Sequence, residues 1–433
     1  MAEEDRLPAI AGSLRAAARR FGTPVQITDA ATVDAAVSEL AAAFPDPWIR
    51  QYSVKANDVA AVVGLVTGEG VRAGANVVSR GEWAIARAAG VRNHRITVEG
   101  VGKTDADLAA AVRATADGLP PLWLAIESAD EAEALIGLAR RAELGSNARP
   151  PLDVLFRLNP DVAPETQAEL AVGSGGSKFG MTETELSATV ERVAGAGGGL
   201  RPRGVHLHVG SQLGAVDAWR DAVRRGLAVA GLLRGQLADF DTLDVGGGFA
   251  VAPLGEPAPR PERFAREMPA LLETIPEDRR PRRLAIEPGR FLVARAGWLV
   301  GRVLHVRERG GRQVVLDTGM AEIIRPALYG GRQPIVALTS LGRPVDRDDG
   351  PMPAGEIGEA AVHGPICEST DQLGEHALPP LRRGDLVAIR DAGAYAASLG
   401  SSYNGRPRPP QVILRPDGTL ELLRHRGRMA ALG

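Results

Sequence analysis

Short apolar segments alternate with helical ones eight times between residues 49 and 287, and this alternation limits the fold more than any other feature. The segments are rich in branched residues and are typical of buried strands, whereas the runs between them repeat apolar residues at i, i+3 and i+4. Such helical runs include 59–69, 104–115, 129–143 and 215–234. Eight alternations predict an α/β protein with a (β/α)8 TIM barrel. The predicted strands are 49–54, 74–78, 95–99, 122–126, 153–158, 204–208, 242–245 and 283–287.

The pattern changes near residue 297, which predicts a second, mainly β domain. No long amphipathic run follows, and turns rich in glycine, proline and aspartate separate short strand-like segments. Before the barrel, a helix over 14–21 leads into a brief strand at 24–27. The expected division is an N-terminal segment 1–32, a barrel 33–296 and a β domain 297–433. The strands predicted in the β domain are 299–306, 313–317, 359–362, 386–390, 411–414 and 420–423.

Composition excludes several classes of function. A net charge of −2 over 433 residues gives no basis for binding nucleic acid or a membrane surface. The apolar runs are too short to span a bilayer, and the acidic N-terminus lacks a signal-peptide pattern. The single cysteine excludes an internal disulfide and favours a cytoplasmic location.

Lys55 follows the first predicted barrel strand, within the stretch Tyr-Ser-Val-Lys-Ala-Asn at 52–57. Barrel enzymes place their catalytic groups at the C-terminal ends of the strands, and an amine among apolar groups there can attack an aldehyde. Taken alone, a strand-end lysine could equally point into water, because most lysines lie at the surface.

The sixth and seventh predicted strands end in groups that suit a planar, anionic ligand. His206 and His208 alternate along the sixth strand and so share a face, and Ser211 follows them. His208 could lie flat against an aromatic cofactor, with Ser211 donating to a phosphate; a structural histidine is the alternative. Gly246, Gly247 and Gly248 follow the seventh strand and would let backbone N–H groups approach an anion, although such a run can be only a tight turn.

The eighth predicted strand ends in the sequence Glu-Pro-Gly-Arg at 287–290. A carboxylate that points into a barrel mouth needs a cationic partner, and a pyridinium N–H would be one. Arg290 would suit a phosphate or carboxylate, although Glu287 and Arg290 could also form a surface pair. Together with Lys55 and His208, these groups are the parts needed to hold pyridoxal phosphate.

With these motifs, the chain resembles the pyridoxal-phosphate-dependent decarboxylases with an alanine-racemase-like barrel (fold type III), and most closely the diaminopimelate decarboxylase family. The resemblance runs from about residue 23 to residue 414. It implies that the N-terminal segment packs with the β domain. The motifs that carry it lie, in order, at 52–57, 101–104, 178–181, 208–212, 244–249, 287–290, 317–320, 325–329, 367–369, 393–395 and 403–404.

The resemblance implies roles for the matching positions. Lys55 would bind the cofactor covalently, and Cys367 would return a proton after carbon dioxide leaves. Without its flanking motif, Cys367 would be interpreted as a small buried hydrophobe. His208 would stack on the cofactor ring, and Glu287 would keep the ring nitrogen protonated. The implied cofactor-binding residues are Lys55, His208, Ser211, Gly247, Gly248, Glu287, Gly289, Arg290 and Tyr395.

The resemblance also implies a substrate and a partner. Glu-Ser follows Cys367, whereas diamine-forming relatives usually have Asp-Gly there. This favours a substrate with both an amine and a carboxylate at its far end, and hence conversion of meso-diaminopimelate to L-lysine and carbon dioxide. A homodimer with shared active sites is expected, and no metal. The implied substrate-binding residues are Arg290, Arg325, Tyr329, Glu368 and Tyr395.

Some positions depart from the family pattern. Asn76 stands where aspartate is usual, Arg80 and Trp83 replace glycine and leucine, and Gly-Arg-Gln at 331–333 replaces Ala-Tyr-His. These changes keep open a decarboxylase of a related amino acid or conjugate in secondary metabolism or siderophore biosynthesis. A non-catalytic, pyridoxal-phosphate-binding regulatory homologue is a third possibility. A racemase would require a tyrosine base at the position where this chain has Cys367.

Overall fold

The computed structural model describes two compact units. One comprises Ala36–Ala250 and Ala258–Phe291, and the other comprises Met1–Ala35, Val251–Pro257 and Leu292–Gly433. The residues described are 5–68, 73–163, 176–252, 257–345 and 357–428.

The described strands and helices follow the predicted order. The strands are β1 Val25–Asp29, β2 Ile49–Ser53, β3 Gly74–Val77, β4 Ile96–Val98, β5 Trp123–Ile126, β6 Leu152–Leu158, β7 Leu200–Leu207, β8 Thr242–Asp244, β9 Arg283–Ile286, β10 Gly297–Glu308, β11 Arg312–Leu316, β12 Ile335–Ala337, β13 Thr339–Ser340, β14 Arg343–Pro344, β15 Gly358–His363, β16 Gln372–Leu378, β17 Leu386–Ile389, β18 Gln411–Leu414 and β19 Leu420–Arg424. The helices are α1 Leu7–Phe21, α2 Ala30–Ala43, α3 Ala60–Thr67, α4 Arg80–Ala88, α5 Asp105–Ala116, α6 Ala129–Arg141, α7 Glu183–Ala194, α8 Asp217–Arg234, α9 Pro261–Ala265, α10 Met268–Glu273, α11 Arg290–Val293 and α12 Arg325–Tyr329.

Strands β2 to β9 form a closed parallel barrel, in which β2 pairs with β3 on one side and with β9 on the other. Strands buried on both faces explain the nearly continuous apolar runs in the sequence. A fully buried cluster of Trp123, Ala125, Leu155 and Ala285 joins β5, β6 and β9. Truncating a side chain such as Trp123 to alanine would cost about 3–5 kcal/mol. The predicted TIM barrel is confirmed.

The barrel helices begin at side chains that cap their free backbone N–H groups. Ser79 and Ser128 accept a hydrogen bond from the third residue of α4 and α6. Thr104 and Thr182 each form a capping box with the acidic residue three positions later. Such caps contribute about 1 kcal/mol each and fix where each helix starts after its strand.

The second unit is built on one sheet that contains nine described strands, which confirms the predicted β domain. The order is β16, β15, β11, β10, β1, β18 and β19, and β17 pairs with both β10 and β12. Strand β1 lies inside this sheet, antiparallel to β10 and parallel to β18. Alternate residues of β10 enter two different apolar clusters: Leu299 enters one, and Trp298 and Val300 enter the other. The N-terminal segment is therefore part of the β domain.

The structure adds elements that the sequence pattern did not predict. Helix α1 begins at Leu7 rather than near residue 14, because Ile10 and Ala11 extend its buried face. Strands β12 and β16 and the short helix α12 were not predicted. None of the described helices has the length and apolar character that crossing a membrane requires.

Candidate active site

Lys55 lies in a short turn, residues 54–56, that follows β2 at the C-terminal end of the barrel. The backbone N–H of Ser53 donates to the carbonyl oxygen of Pro288 at 3.0 Å, and Ser53 Oγ donates to the carbonyl oxygen of Glu287 at 3.1 Å. Lys55 is half-buried, and within the described ranges no hydrogen bond or ion pair joins its amine to another residue. This amine is available to react with an aldehyde.

His208 directly follows β7 and faces the glycine turn after β8. The backbone N–H of Gly247 donates to His208 Nδ1 at 3.4 Å, which leaves the ring proton on Nε2. Burial, together with the positive charge of Lys55, lowers the pKa of His208 well below its usual value. His208 is therefore a neutral, planar ring, suited to lie against another aromatic group.

The turn after β8 depends on its glycines. Gly246 and Gly248 have φ values of +70° and +101°, which only glycine adopts without strain. A Cβ atom on Gly247 would lie 2.2 Å from the carbonyl oxygen of Glu287. At the end of β9, a Cβ on Gly289 would lie 3.1 Å from Cβ of Ser53, so Gly289 lets the Lys55 turn pack closely.

Arg290 and Ser211 meet beside this turn. Arg290 Nη2 and Nε lie 3.2 and 3.4 Å from Ser211 Oγ, although Ser211 follows β7 and Arg290 follows β9. Arg290 is only 8% exposed. A guanidinium and a hydroxyl beside this glycine turn form a set of donors for a phosphate or carboxylate.

Glu287 is a buried carboxyl group at the same end of the barrel, with 5% exposure. Its Oε1 accepts a hydrogen bond from Asn76 Nδ2 at 2.6 Å, and its Oε2 lies 3.5 Å from His206 Nε2. Burial lowers the pKa of His206 to about 4, so this imidazole is neutral near pH 7. In the described part of the chain no lysine or arginine lies within ion-pair distance of Glu287. A ligand with a positively charged group would supply the cationic partner that this buried carboxyl group lacks.

Two further acids lie beside Glu287. Burial, reinforced by the charge of Glu287, raises the pKa of Glu99 to about 8. The same two causes raise the pKa of Asp244 well above its usual value. Glu99 is therefore mostly protonated near pH 7. Glu99 Oε2 lies 3.3 Å from His206 Nε2, and Glu99 Oε1 accepts from Trp123 Nε1 at 3.4 Å.

These barrel residues fit pyridoxal phosphate. Lys55 offers an amine for its aldehyde, and His208 offers a flat, neutral ring. The glycine turn, Ser211 and Arg290 offer donors for its phosphate. The strongest part of the fit is Glu287, because a protonated ring nitrogen is the cation that this buried carboxyl group lacks.

In the second unit, Arg325, Tyr329 and Tyr395 form a cluster. The guanidinium carbon of Arg325 lies 5.0 Å from the ring centre of Tyr329 and 5.7 Å from that of Tyr395. Burial lowers the pKa of Arg325, but a guanidinium stays charged at any physiological pH. This cluster can bind a carboxylate.

Cys367 and Glu368 lie on the loop between β15 and β16 and are exposed. Tyr403 Oη donates a hydrogen bond to Glu368, and this bond raises the pKa of Tyr403. The loop is shaped by the buried Asp371, whose carboxylate accepts from the backbone N–H groups of Met320 and Ile366, each at 2.7 Å.

The structure brings eight of the predicted site residues to one end of the barrel unit and collects the other five in the β unit. Sequence reasoning did not assign a role to Glu99, Asp244 or Asp371. Glu99 and Asp244 stand at strand ends as Glu287 does, and this shared position was the available signal. Asp371 carried no signal, because the partners of its carboxylate are backbone N–H groups, which no residue type reveals. The barrel set is Lys55, His208, Ser211, Gly247, Gly248, Glu287, Gly289 and Arg290, and the β-unit set is Arg325, Tyr329, Cys367, Glu368 and Tyr395.

Comparison with known proteins identifies the family. Residues 30–294 match the model of the pyridoxal-dependent decarboxylase family, pyridoxal binding domain. Diaminopimelate decarboxylase of Aquifex aeolicus is 32% identical over 417 residues, covering 96% of this chain and 91% of the relative. Diaminopimelate decarboxylase of Actinosynnema pretiosum subsp. auranticum is 37% identical, covering 94% of this chain and 87% of the relative.

Solved structures of similar proteins support the same family. The crystal structure of diaminopimelate decarboxylase from Helicobacter pylori, complexed with L-lysine, has a TM-score of 0.85 and 28% identity, and the match covers 96% of this chain and 97% of that one. The crystal structure of diaminopimelate decarboxylase from m. jannaschii, in co-complex with L-lysine, has a TM-score of 0.84 and 26% identity, and the match covers 96% of this chain and 92% of that one. The expected enzyme class and cofactor are thereby confirmed, and the chain belongs to the diaminopimelate decarboxylase family of pyridoxal-dependent decarboxylases.

Proposed function

We propose that this protein removes the α-carboxylate of meso-diaminopimelate, yielding L-lysine and carbon dioxide, with pyridoxal phosphate bound at Lys55. One observation carries the proposal: Lys55 and the buried Glu287 share a barrel mouth, and among the residues that the structure describes neither side chain has an ion-pair partner of lysine, arginine or carboxylate type. Similarity to diaminopimelate decarboxylases over nearly the whole chain supports the choice of reaction.

Five groups of the barrel unit would hold the cofactor. Lys55 would bind its aldehyde carbon, and His208 would support the face of its ring. The N–H groups of the glycine turn, with Ser211 and Arg290, would bind its phosphate, and Tyr395 is proposed to add a contact there. When bound, the cofactor supplies an electron sink for the electron pair that the departing carbon dioxide leaves behind.

The chain's own contribution to this chemistry is to control protons. Glu287 accepts the ring N–H and so keeps that nitrogen positively charged. His208 Nδ1 accepts from Gly247, so its neutral ring adds no competing charge beside the cofactor. Cys367 Sγ is proposed to deliver the proton that replaces the carboxylate on the substrate carbon.

The far end of the substrate carries both a carboxylate and an ammonium group. Arg290 and Arg325 would bind the carboxylate, and the rings of Tyr329 and Tyr395 lie beside the Arg325 guanidinium. Glu368 would bind the ammonium group. A diamine-forming substrate has no far carboxylate, so it would leave the arginines without an anionic partner.

We infer a homodimer in which each active site combines the barrel residues of one copy with Cys367 and Glu368 of the other. The exposure of Cys367 and Glu368 supports this, since catalytic groups that work within their own unit are usually buried. The cytoplasmic location expected from the cysteine content stays a prediction.

A substrate panel tests the function. Purified protein with added pyridoxal phosphate is incubated with meso-diaminopimelate, ornithine, arginine or lysine, and carbon dioxide and amine products are measured. We expect L-lysine from meso-diaminopimelate at a rate at least about 100-fold above the rates with the other three, because only this substrate satisfies both Arg325 and Glu368. No release from meso-diaminopimelate, with release from another amino acid or conjugate, would establish the alternative substrate instead.

Two lysine variants test the site. Lys55→Ala and Lys55→Arg should both lose turnover and the visible absorbance of the bound cofactor, because arginine keeps the charge but is not a nucleophile toward an aldehyde. A Lys55→Ala protein with normal activity would refute the assignment.

A further inference from the structure

Glu287 sits in a buried polar cluster contributed by four neighbouring strands and the segments that follow them. Asn76 belongs to β3, His206 to β7 and Asp244 to β8, while Glu99 directly follows β4. All four side chains are at most 3% exposed. Asn76 Nδ2 lies 2.6 Å from Glu287 Oε1, the shortest contact that we describe in this cluster.

The cluster holds three carboxyl groups and no lysine or arginine in ion-pair contact with them, within the described ranges. Three buried carboxylates cannot all be ionised without a large cost. His206 bridges two of them, since its Nε2 lies 3.3 Å from Glu99 and 3.5 Å from Glu287. Which acid keeps the negative charge therefore depends on which one has a fixed hydrogen-bond donor.

We propose that Asn76 is a positioning residue whose amide directs the negative charge of this cluster to Glu287 and away from Glu99 and Asp244. The proposal rests on the proposed function, in which Glu287 faces the cofactor's ring nitrogen. The amide of Asn76 donates to Glu287 Oε1 and so stabilises the carboxylate at that residue.

The electrostatics of the neighbours agree with this charge distribution. Burial and the nearby Glu287 raise the pKa of both Glu99 and Asp244, whereas burial lowers that of His206. The more distant charges that act on His206 are Lys55, Arg157 and Glu127, and Arg157 and Glu127 pair with each other at 2.6 Å. Each acid of the cluster has a neutral donor, but the contact of Glu287 with Asn76, at 2.6 Å, is the shortest. Asp244 Oδ1 accepts from the backbone N–H of Gly246 at 2.9 Å, and Glu99 Oε1 accepts from Trp123 Nε1 at 3.4 Å.

The amide has a property that an acid in its place would lack: it cannot lose its proton. In the family pattern this position is usually aspartate, which could donate to Glu287 only while protonated. Asn76 therefore offers Glu287 a hydrogen-bond donor at every pH, whereas an aspartate would offer one only while it is protonated.

Two substitutions separate this role from simple packing. Asn76→Leu keeps the approximate size and removes the donor, and Asn76→Asp keeps the shape and makes the donor titratable. Asn147→Asp, the same change at an exposed position, is the control. Each protein is stripped of cofactor and titrated with pyridoxal 5′-phosphate at pH 6 to 9, and the dissociation constant is read from cofactor absorbance.

We expect Asn76→Leu to bind the cofactor at least about tenfold more weakly at every pH, because a hydrogen bond to a charged group is lost. Asn76→Asp should bind within about threefold of wild type at pH 6, where the new acid can donate. Its affinity relative to wild type should fall at least about threefold by pH 9, since the ionised aspartate no longer donates to Glu287 and repels its carboxylate. The Asn147→Asp control should follow wild type throughout.

The outcomes distinguish this inference from the proposed function. If wild type binds the cofactor at Lys55 but Asn76→Leu binds it equally well, Asn76 has no positioning role and the function stands. A pH profile of Asn76→Asp parallel to wild type overturns the inference in the same way, and it does so even if Asn76→Leu fails to fold. If wild type binds no cofactor at all, both the function and the inference fall.

Discussion

Glu99 is a residue whose titration should be measurable in the stability of the whole chain. Its pKa is about 8 in the folded protein and near 4.5 when unfolded. Between these pH values the folded state holds a proton that the unfolded chain has released. The free energy of unfolding therefore falls as pH rises from about 4.5 to about 8, by up to about 1.4 kcal/mol per pH unit.

The variant Glu99→Gln removes that proton exchange. In urea unfolding of the cofactor-free chain, we expect it to lack this decline and to become more stable relative to wild type as pH rises from 5 to 8. Glu183→Gln, at an exposed position in the first turn of α7, is the control and should keep the wild-type slope. Parallel slopes for Glu99→Gln and wild type would show that Glu99 is ionised in the folded protein.

Cys367 is predicted to deliver a proton to the substrate and not to contribute to cofactor binding. Cys367→Ala should lower kcat about 100-fold or more, the usual contribution of a positioned acid, or divert the reaction to side products. The dissociation constant of the cofactor should not change. Rate, product and cofactor affinity are measured together, with the exposed neighbour Thr370→Ala as the control. An unaltered rate and product would remove Cys367 from the mechanism.

Residue types at strand ends could be predicted to form a site, because all parallel strands of a barrel end at the same mouth. Lys55, His208 and Glu287 were found in this way. The raised pKa values of Glu99 and Asp244 could not be predicted, since they depend on distances across the barrel interior that no local pattern encodes. The role of Asp371 could not be predicted either, because its carboxylate binds backbone N–H groups.

Among the elements, the turn between β8 and the following segment should be the least tolerant of added side-chain volume. Gly247→Ala would place Cβ 2.2 Å from the carbonyl oxygen of Glu287, so the turn must move. We expect the cofactor to bind at least about tenfold more weakly, a change of about 1.4 kcal/mol or more. Cofactor titration and urea unfolding are the measurements.

Gly137→Ala provides the matched control for this variant. Gly137 lies inside α6, and an added Cβ would meet only the flexible end of the Arg141 side chain, at 3.5 Å, among the described residues. This change should stabilise the protein by about 0.5–1 kcal/mol and leave cofactor binding unchanged. Equal affinities for Gly247→Ala and wild type would show that the turn is free to shift.

The eight barrel strands were predictable because each is a short run of buried, branched residues between helices. Strand β12 was not, since it is only three residues long, and β16 was not, since Gly374, Glu375 and His376 interrupt its apolar pattern. Helix α12 has five residues, too few to show a period. Tertiary packing, not local preference, forms these elements.

At the scale of the whole molecule, an active site shared between two copies predicts that two inactive variants regain activity when they form a mixed dimer. Lys55→Ala lacks a barrel residue and Cys367→Ala lacks a loop residue. If each site takes these from different copies, random exchange gives mixed dimers with one intact site, and about a quarter of all sites should recover. Decarboxylation is measured after co-expression, with size-exclusion chromatography and light scattering to confirm dimers.

Each variant mixed with itself is the control and should stay inactive. Recovery near zero in verified mixed dimers would mean that both residues come from the same chain, and a monomeric wild type would exclude the shared site altogether.

Strand β1 also determines when the β unit can be completed. Val25 pairs with Val300, and Gln26 pairs with Gln411, so the neighbours of β1 are translated hundreds of residues after it. While the ribosome is still producing the barrel, both edges of β1 in the nascent chain await their partners. The sheet around it can close only once Gln411 has emerged, so completion of this unit must follow synthesis of all eight barrel strands.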